Sequence, residues 1–119
     1  MTVCVLAGFN DLLEALRIVR LMTRDMPDSP YVILERHIAV AHASDRKYAK
    51  ENPAFLLMNA RTIGLRVFVM CDRLQDLPPI YRTSVSHVVA ASSKCESLVP
   101  CSGDLIWMNF DTMRFELVR

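Results

Sequence analysis

Glycine is scarce in this chain of 119 residues, which contains only Gly8, Gly64 and Gly103. A phosphate-binding P-loop follows the pattern G-x-x-x-x-G-K-[ST], in which backbone amides and a lysine hold the phosphates. None of the three glycines is followed by Lys-Ser or Lys-Thr. The sequence therefore contains no P-loop, and we expect no ATP hydrolysis by the chain alone.

Paired metal-binding cysteines are also missing. Cys4, Cys71, Cys95 and Cys101 form no C-x-x-C pair, so no metal site is expected. Cys4 and Cys71 lie in apolar runs and are expected to be buried, unreactive thiols. Cys95 and Cys101 are close enough in sequence to approach each other, but free thiols are the better expectation in a reducing compartment.

Long apolar runs and an excess of charge are absent as well. No run approaches the roughly 20 apolar residues of a membrane span. The net charge of +1 gives no overall attraction to nucleic acid or membrane. The first residues, MTVCVLAGFNDLL, lack the basic region of a signal peptide, which predicts a protein that is not secreted. Length and composition predict a single domain over residues 1–119.

What the sequence does contain is an alternation of apolar strand-like runs and helical patterns. The segment from Leu12 to Met26 has helical spacing, with Asn10 as its expected N-cap. Asn52-Pro53 is a typical helix start, and Gly64 a typical helix end. The predicted strands are TVCVLAG, YVILE, LRVFVMC and HVVAAS. Alternating elements of this kind predict an α/β fold with a mostly parallel sheet flanked by helices.

Two regions are harder to interpret. RHIAVAHASDRKYAKE has no clear period and is interpreted as a loop or a frayed helix. DLIWMNF and MRFELVR flank the dipeptide Asp-Thr, which predicts a C-terminal β-hairpin.

The stretch LMNARTIGLRVFVMCDRLQDLPPIYRTSVSHVV carries a resemblance to a known family. It resembles the genome-packaging ATPases of the nucleocytoplasmic large DNA viruses, which are P-loop motors of the FtsK/HerA group. In that family a Walker B strand and a helix ending near N-G-R precede a strand with a polar sensor residue, a proline pair and R-T. YVILER corresponds to the Walker B strand, and the later matches are Asn59, Arg61, Asp72, Pro78, Pro79, Arg82 and Thr83.

The resemblance implies a partial RecA-like fold and a set of site residues. Glu35 falls at Walker B, Asp72 at the sensor and Arg82 at a position from which an arginine reaches a neighbour's nucleotide. Asn59 and Arg61 are implied as weaker nucleotide-binding residues. These catalytic positions are degenerate, because Arg36 replaces the second Walker B acid and the sensor carboxylate would repel phosphate.

The N-terminal segment TVCVLAGFNDLLEAL allows two interpretations within this resemblance. It is either the P-loop strand and helix with the loop deleted, or the strand and helix that precede Walker B. The resemblance favours the second interpretation, because the family has a strand and a helix at that place. Both leave an ATPase-like domain without Walker A.

Basic residues on the first predicted helix offer a possible DNA contact. Arg17, Arg20 and Arg24 share one helical stripe and would suit phosphate groups. A solvated polar face is the commoner explanation of such a stripe, and no aromatic residues are interleaved for base stacking.

These observations together favour a viral packaging-ATPase-like protein that is inactive alone. It would act in virion assembly or DNA packaging as a partner subunit, in the virion or in the cytoplasmic viral factory. The expected partner is another copy or a viral protein, with double-stranded DNA as a further ligand and no membrane. Two alternatives stay open: half of a split ATPase, which would use Mg-ATP only if another chain supplied the P-loop, and a small structural virion protein.

Overall fold

The computed structural model describes residues 3–9, 11–91, 104–109 and 114–118. They form one mixed sheet with helices on both faces, as the alternating sequence pattern predicts. The elements in chain order are β1 Val3–Ala7, α1 Leu12–Thr23, β2 Tyr31–Glu35, β3 Ala39–Ala43, α2 Pro53–Ile63, β4 Arg66–Cys71, α3 Pro79–Arg82, β5 His87–Ala91, β6 Asp104–Asn109 and β7 Arg114–Val118. Short 3-10 turns occupy Arg46–Tyr48 and Leu74–Asp76.

Helix α1 begins at Leu12, as its helical spacing suggested, but with a different N-cap. Its N-cap is Asp11, whose Oδ1 accepts a hydrogen bond from the backbone N–H of Leu13 at 3.0 Å. The prediction of Asn10 as the cap is therefore wrong by one position, and Asn10 itself lies outside the described residues. The helix also ends earlier, at Thr23 rather than Met26.

Helix α2 has the boundaries that local chemistry predicted. Asn52 Oδ1 accepts from the N–H of Ala54 at 2.8 Å, and Pro53 takes the first helical position. Gly64 ends the helix with φ of 69°, a left-handed conformation that costs other residues free energy. The N–H of Leu65 then returns to the carbonyl oxygen of Ala60 at 2.9 Å, which closes the helix end.

The region interpreted as a loop or frayed helix is neither. It contains β3, which pairs antiparallel with β2 at the edge of the sheet. Arg36 makes the turn into β3 with φ of +53°, an unusual conformation for a residue with a side chain. The pairing also contains an irregularity between Ile33 and Leu34. A short strand of mostly small residues with an irregular register has no clear hydrophobic period. The sequence therefore does not reveal β3 as a strand.

The strand order is β3-β2-β4-β1-β5-β6-β7. Pairing is parallel from β2 through β6 and antiparallel at the two edges. The buried runs YVILE, LRVFVMC and HVVAAS predict three neighbouring strands. Of these, β2 and β4 are neighbours, whereas β1 lies between β4 and β5. The antiparallel β6–β7 pair fits the predicted C-terminal hairpin, but its connection lies outside the described residues, so the hairpin stays a prediction.

The apolar core forms two layers, one on each face of the sheet. Helix α1 packs on one face through Ala15, Ile18 and Val19, against Phe68 of β4 and its neighbours. Helix α2 packs on the opposite face with α3. Side chains alternate along each parallel strand and so contribute to both layers. Because β1, β2 and β4 are parallel, their carboxyl ends lie at the same edge of the sheet.

Candidate functional site

The carboxyl edge of the sheet carries the two acidic positions that the sequence singled out. Glu35 is the last residue of β2, and Asp72 directly follows β4. The two strands are neighbours, and Glu35 pairs in register with Met70. Both acidic residues are exposed. The structure therefore places Glu35 and Asp72 at adjacent strand ends, as expected, and their chemical roles stay predictions.

The turn after β2 is fixed against the same edge. The N–H of Arg36 donates to the carbonyl oxygen of Met70 at 2.8 Å. The next residue, His37, stacks its ring on Tyr81 of α3 with 5.7 Å between ring centroids. Its Nδ1 is buried without a hydrogen-bond partner among the described residues. These contacts join the turn between β2 and β3 to α3 beside the carboxyl edge of the sheet.

Gly8 and Phe9, which follow β1, are held against the sheet and the core. Gly8 has φ of 84°, and its N–H donates to the carbonyl oxygen of Cys71 at 2.8 Å. Phe9 is only 1% exposed and packs in the α1-side core. Asp11 then occupies the start of α1 with its carboxylate. The Asp11 carboxylate already occupies the positive end of the helix. It would repel a phosphate group there and not help to bind it.

The stiff Pro78-Pro79 turn predicts that Arg82 projects outward into solvent, but the structure holds its guanidinium against the loop. Its side chain is half-buried, and its Nε–H donates to the carbonyl oxygen of Leu77 at 2.8 Å. Nη2 makes a longer hydrogen bond of 3.4 Å to the carbonyl oxygen of Gln75. The expectation of a freely projecting arginine is therefore wrong. The proline pair does not direct the side chain into solvent, because the guanidinium of Arg82 is hydrogen-bonded to carbonyl groups of its own loop.

Asn59 and Arg61 do not join the carboxyl edge. Asn59 donates through Nδ2 to the carbonyl oxygen of Phe55 at 2.9 Å, within its own helix. Arg61 is exposed in the last turn of α2, close to Gly64 and the beginning of β4. That position is at the amino edge of the parallel strands. The structure therefore separates these two residues from Glu35 and Asp72.

The arginine stripe on α1 is exposed, as its polar pattern predicts. Arg17, Arg20 and Arg24 lie outside the apolar contacts that join α1 to the sheet. Successive members three and four residues apart share one side of a helix. The stripe is thus available to a ligand on the face opposite α2.

The two described cysteines are free and buried, which confirms their predicted burial. Burial raises the pKa of the Cys4 thiol far above its ordinary value. Burial, followed by the carboxylates of Asp76 and Asp72, raises the pKa of Cys71 to about 12. Thiols in such surroundings are poor nucleophiles at neutral pH. Cys95 and Cys101 lie outside the described residues.

Sequence reasoning missed one buried arginine, Arg66. It is the first residue of β4 and is only 8% exposed. An arginine beside an apolar run is ordinarily expected at the surface, and no local pattern marks it as buried. Its contacts come from residues about 40 positions away, so only the folded chain reveals it.

Within the described residues, no group of three or more His, Cys, Asp or Glu side chains is arranged to hold a metal ion. The helices in that part of the chain are also too short or too polar to cross a bilayer. Comparison with protein-family models, with curated proteins and with solved structures gives no match.

Proposed function

We propose that this protein is a relative of the viral packaging ATPases that has no nucleotide cradle and acts as a non-catalytic partner subunit. The observation that carries the proposal is the placement of Phe9 after β1 and of Asp11 before α1. Phe9 is buried in the core, and Asp11 supplies a carboxylate at the helix start. In an active motor, the carboxyl end of this strand and the start of this helix would bind phosphate. Here Phe9 and Asp11 occupy those positions.

The position of β1 bears on the two interpretations of the N-terminus. The chain leaves β1 for β2 on one side, returns to β4 beside β1, and then crosses to β5 on the other side. Ligands of open α/β sheets bind at the carboxyl end of the strands where such a reversal occurs. This geometry supports a P-loop strand and helix whose loop is deleted, rather than the pair preceding Walker B that the resemblance favoured.

The same geometry counts against a split ATPase. A partner chain that supplied a P-loop strand would have to place it beside β4, next to the sensor position. That place is taken by β1, which pairs with β4 along five residues, from Val3 opposite Val67 to Ala7 opposite Cys71. A P-loop from another chain would need to displace a buried strand.

Strand β3 supports a partner role. It lies at the edge of the sheet, and its residues AVAHA include no lysine, acidic residue or proline. Charges and prolines are the usual means by which edge strands avoid pairing with other chains. The register irregularity opposite Ile33 is the one protective device visible there. We expect a second copy or a viral assembly protein to add a strand at this edge.

Hydrolysis and sedimentation together test the proposed function. The purified chain should release no phosphate from ATP above the buffer rate, and it should sediment as an assembly whose size depends on concentration. Steady phosphate release by the chain alone would contradict the non-catalytic role. The partner role would be contradicted if the protein stayed monomeric at every concentration and also did not bind viral assembly proteins.

A further inference from the structure

A cavity of about 200 Å³ lies at the amino edge of the sheet, away from the ends of β2 and β4. Its wall includes Ser29 from the segment before β2, Arg61 and Gly64 from the end of α2, and Arg66 from the start of β4. Two guanidinium groups therefore contribute to one small cavity. No acidic residue belongs to its wall.

Arg66 enters this cavity with part of its hydrogen-bonding capacity unused. Its Nη2 donates to the carbonyl oxygens of Met26 at 3.1 Å and Ser29 at 3.2 Å. Its Nε is buried and has no acceptor within the described part of the chain. A buried donor without an acceptor is unusual in a native structure and calls for an explanation.

The charge of Arg66 is also unbalanced. Burial lowers the pKa of its guanidinium from the ordinary value, yet arginine stays protonated at neutral pH. The ion pairs among the described residues, Lys47 with Asp45 and Arg73 with Asp76, do not include Arg66. A buried charge without a counter-charge is costly, so a negative group beside Arg66 would stabilise the site.

Arg61 adds a second positive charge at the mouth of the cavity. Its side chain is exposed and has no hydrogen bond or ion pair within the described residues. Asp25 and Asp28, which adjoin the lining residues Met26 and Ser29 in sequence, are exposed and do not line the cavity. Arg61 and Arg66 are therefore the charged side chains that line the cavity.

We propose that this cavity binds a small oxyanion, a carboxylate or a phosphate group, held between Arg61 and Arg66. A guanidinium matches such groups with paired, charge-assisted hydrogen bonds. The anion would supply the counter-charge that Arg66 lacks among the described residues. This inference does not rest on the proposed function, because the cavity lies at the opposite edge of the sheet from the degenerate nucleotide site.

The test follows the arginine Nε–H resonances by NMR while inorganic phosphate or acetate is added at constant ionic strength. Arg66→Lys removes one resonance and so assigns the Arg66 signal. We expect that signal to shift to saturation with at least one of the two anions, and the tighter of the two identifies the ligand class. Arg61→Ala should weaken the affinity about tenfold, as expected for the loss of a charged hydrogen bond. Arg17→Ala, which removes an exposed arginine from α1, is the matched control and should change nothing.

Two results would overturn the proposal. One is the absence of a saturable shift with either anion in the wild-type protein. The other is equal affinity in the wild type and Arg61→Ala. Because Arg61 is exposed and unpaired within the described residues, its substitution leaves the fold in place, so either result can be read directly.

Discussion

The Nε–H of Arg82 donates to the carbonyl oxygen of Leu77 at 2.8 Å, which closes the loop that contains the proline pair. We expect Arg82→Ala to destabilise the protein by about 1–2 kcal/mol, because a half-buried carbonyl loses a charged donor. Urea denaturation measures the change. Arg20→Ala on the exposed side of α1 should stay within about 0.5 kcal/mol.

The same relationship limits any action of Arg82 on a neighbouring subunit. To reach a ligand in trans, the guanidinium would first have to release both Leu77 and Gln75. A loss of assembly in Arg82→Ala with unchanged unfolding free energy would contradict the structural role assigned here. A loss of stability alone would support it.

The buried thiols predict a pH dependence of stability at the alkaline end. The pKa of Cys71 is raised to about 12 from an ordinary value of 9.0. Above pH 9 the unfolded chain therefore loses protons that the folded chain keeps, and the free energy of unfolding falls as pH rises toward 12. Urea titrations from pH 7 to 11 measure this, and Cys71→Ala should reduce the slope. An unchanged slope would show that other groups dominate.

The edge strand β3 predicts a route for self-association. Replacing Ala39 and Ala41 by lysine should abolish concentration-dependent assembly, because lysine on an edge strand opposes pairing with another chain. Sedimentation velocity compares this variant with Leu13→Lys, which places a lysine on an exposed position of α1. Assembly that survives the β3 substitutions but not Leu13→Lys would assign the interface to α1 instead.

The arginine stripe of α1 predicts how any DNA contact would depend on salt. If all three arginines neutralise phosphates, their joint replacement by alanine lowers the slope of log affinity against log salt by about 2.7. Fluorescence anisotropy with a labelled duplex measures the slope. The matched control is Arg46→Ala, Lys47→Ala and Lys50→Ala, which removes three other exposed basic residues. Equal effects of both sets would indicate attraction by overall charge and not a site on α1.

The features that the sequence predicted well depend on local chemistry. Asn52, Pro53 and Gly64 each act within a few residues of their own position, so the bounds of α2 could be predicted correctly. The parallel strands are continuous apolar runs because both faces are buried. Their burial was therefore predictable, although their order in the sheet was not.

The features that the sequence concealed depend on distant contacts. The insertion of β1 between β4 and β5 is set by pairing across more than 60 residues. The inward turn of Arg82 depends on carbonyl groups that the loop presents only when folded. Arg61 belongs to a motif in sequence but lies with Arg66 in space. The order of the motifs in the sequence could not show that Arg61 lies at the amino edge of the sheet and Glu35 and Asp72 at the carboxyl edge.

The central claim is that the start of α1, where Asp11 supplies a carboxylate, cannot hold phosphate groups. Calorimetric titration of the purified chain with Mg-ATP tests it most directly. The account predicts no binding tighter than about 1 mM, or roughly −4 kcal/mol. A dissociation constant in the micromolar range would contradict it.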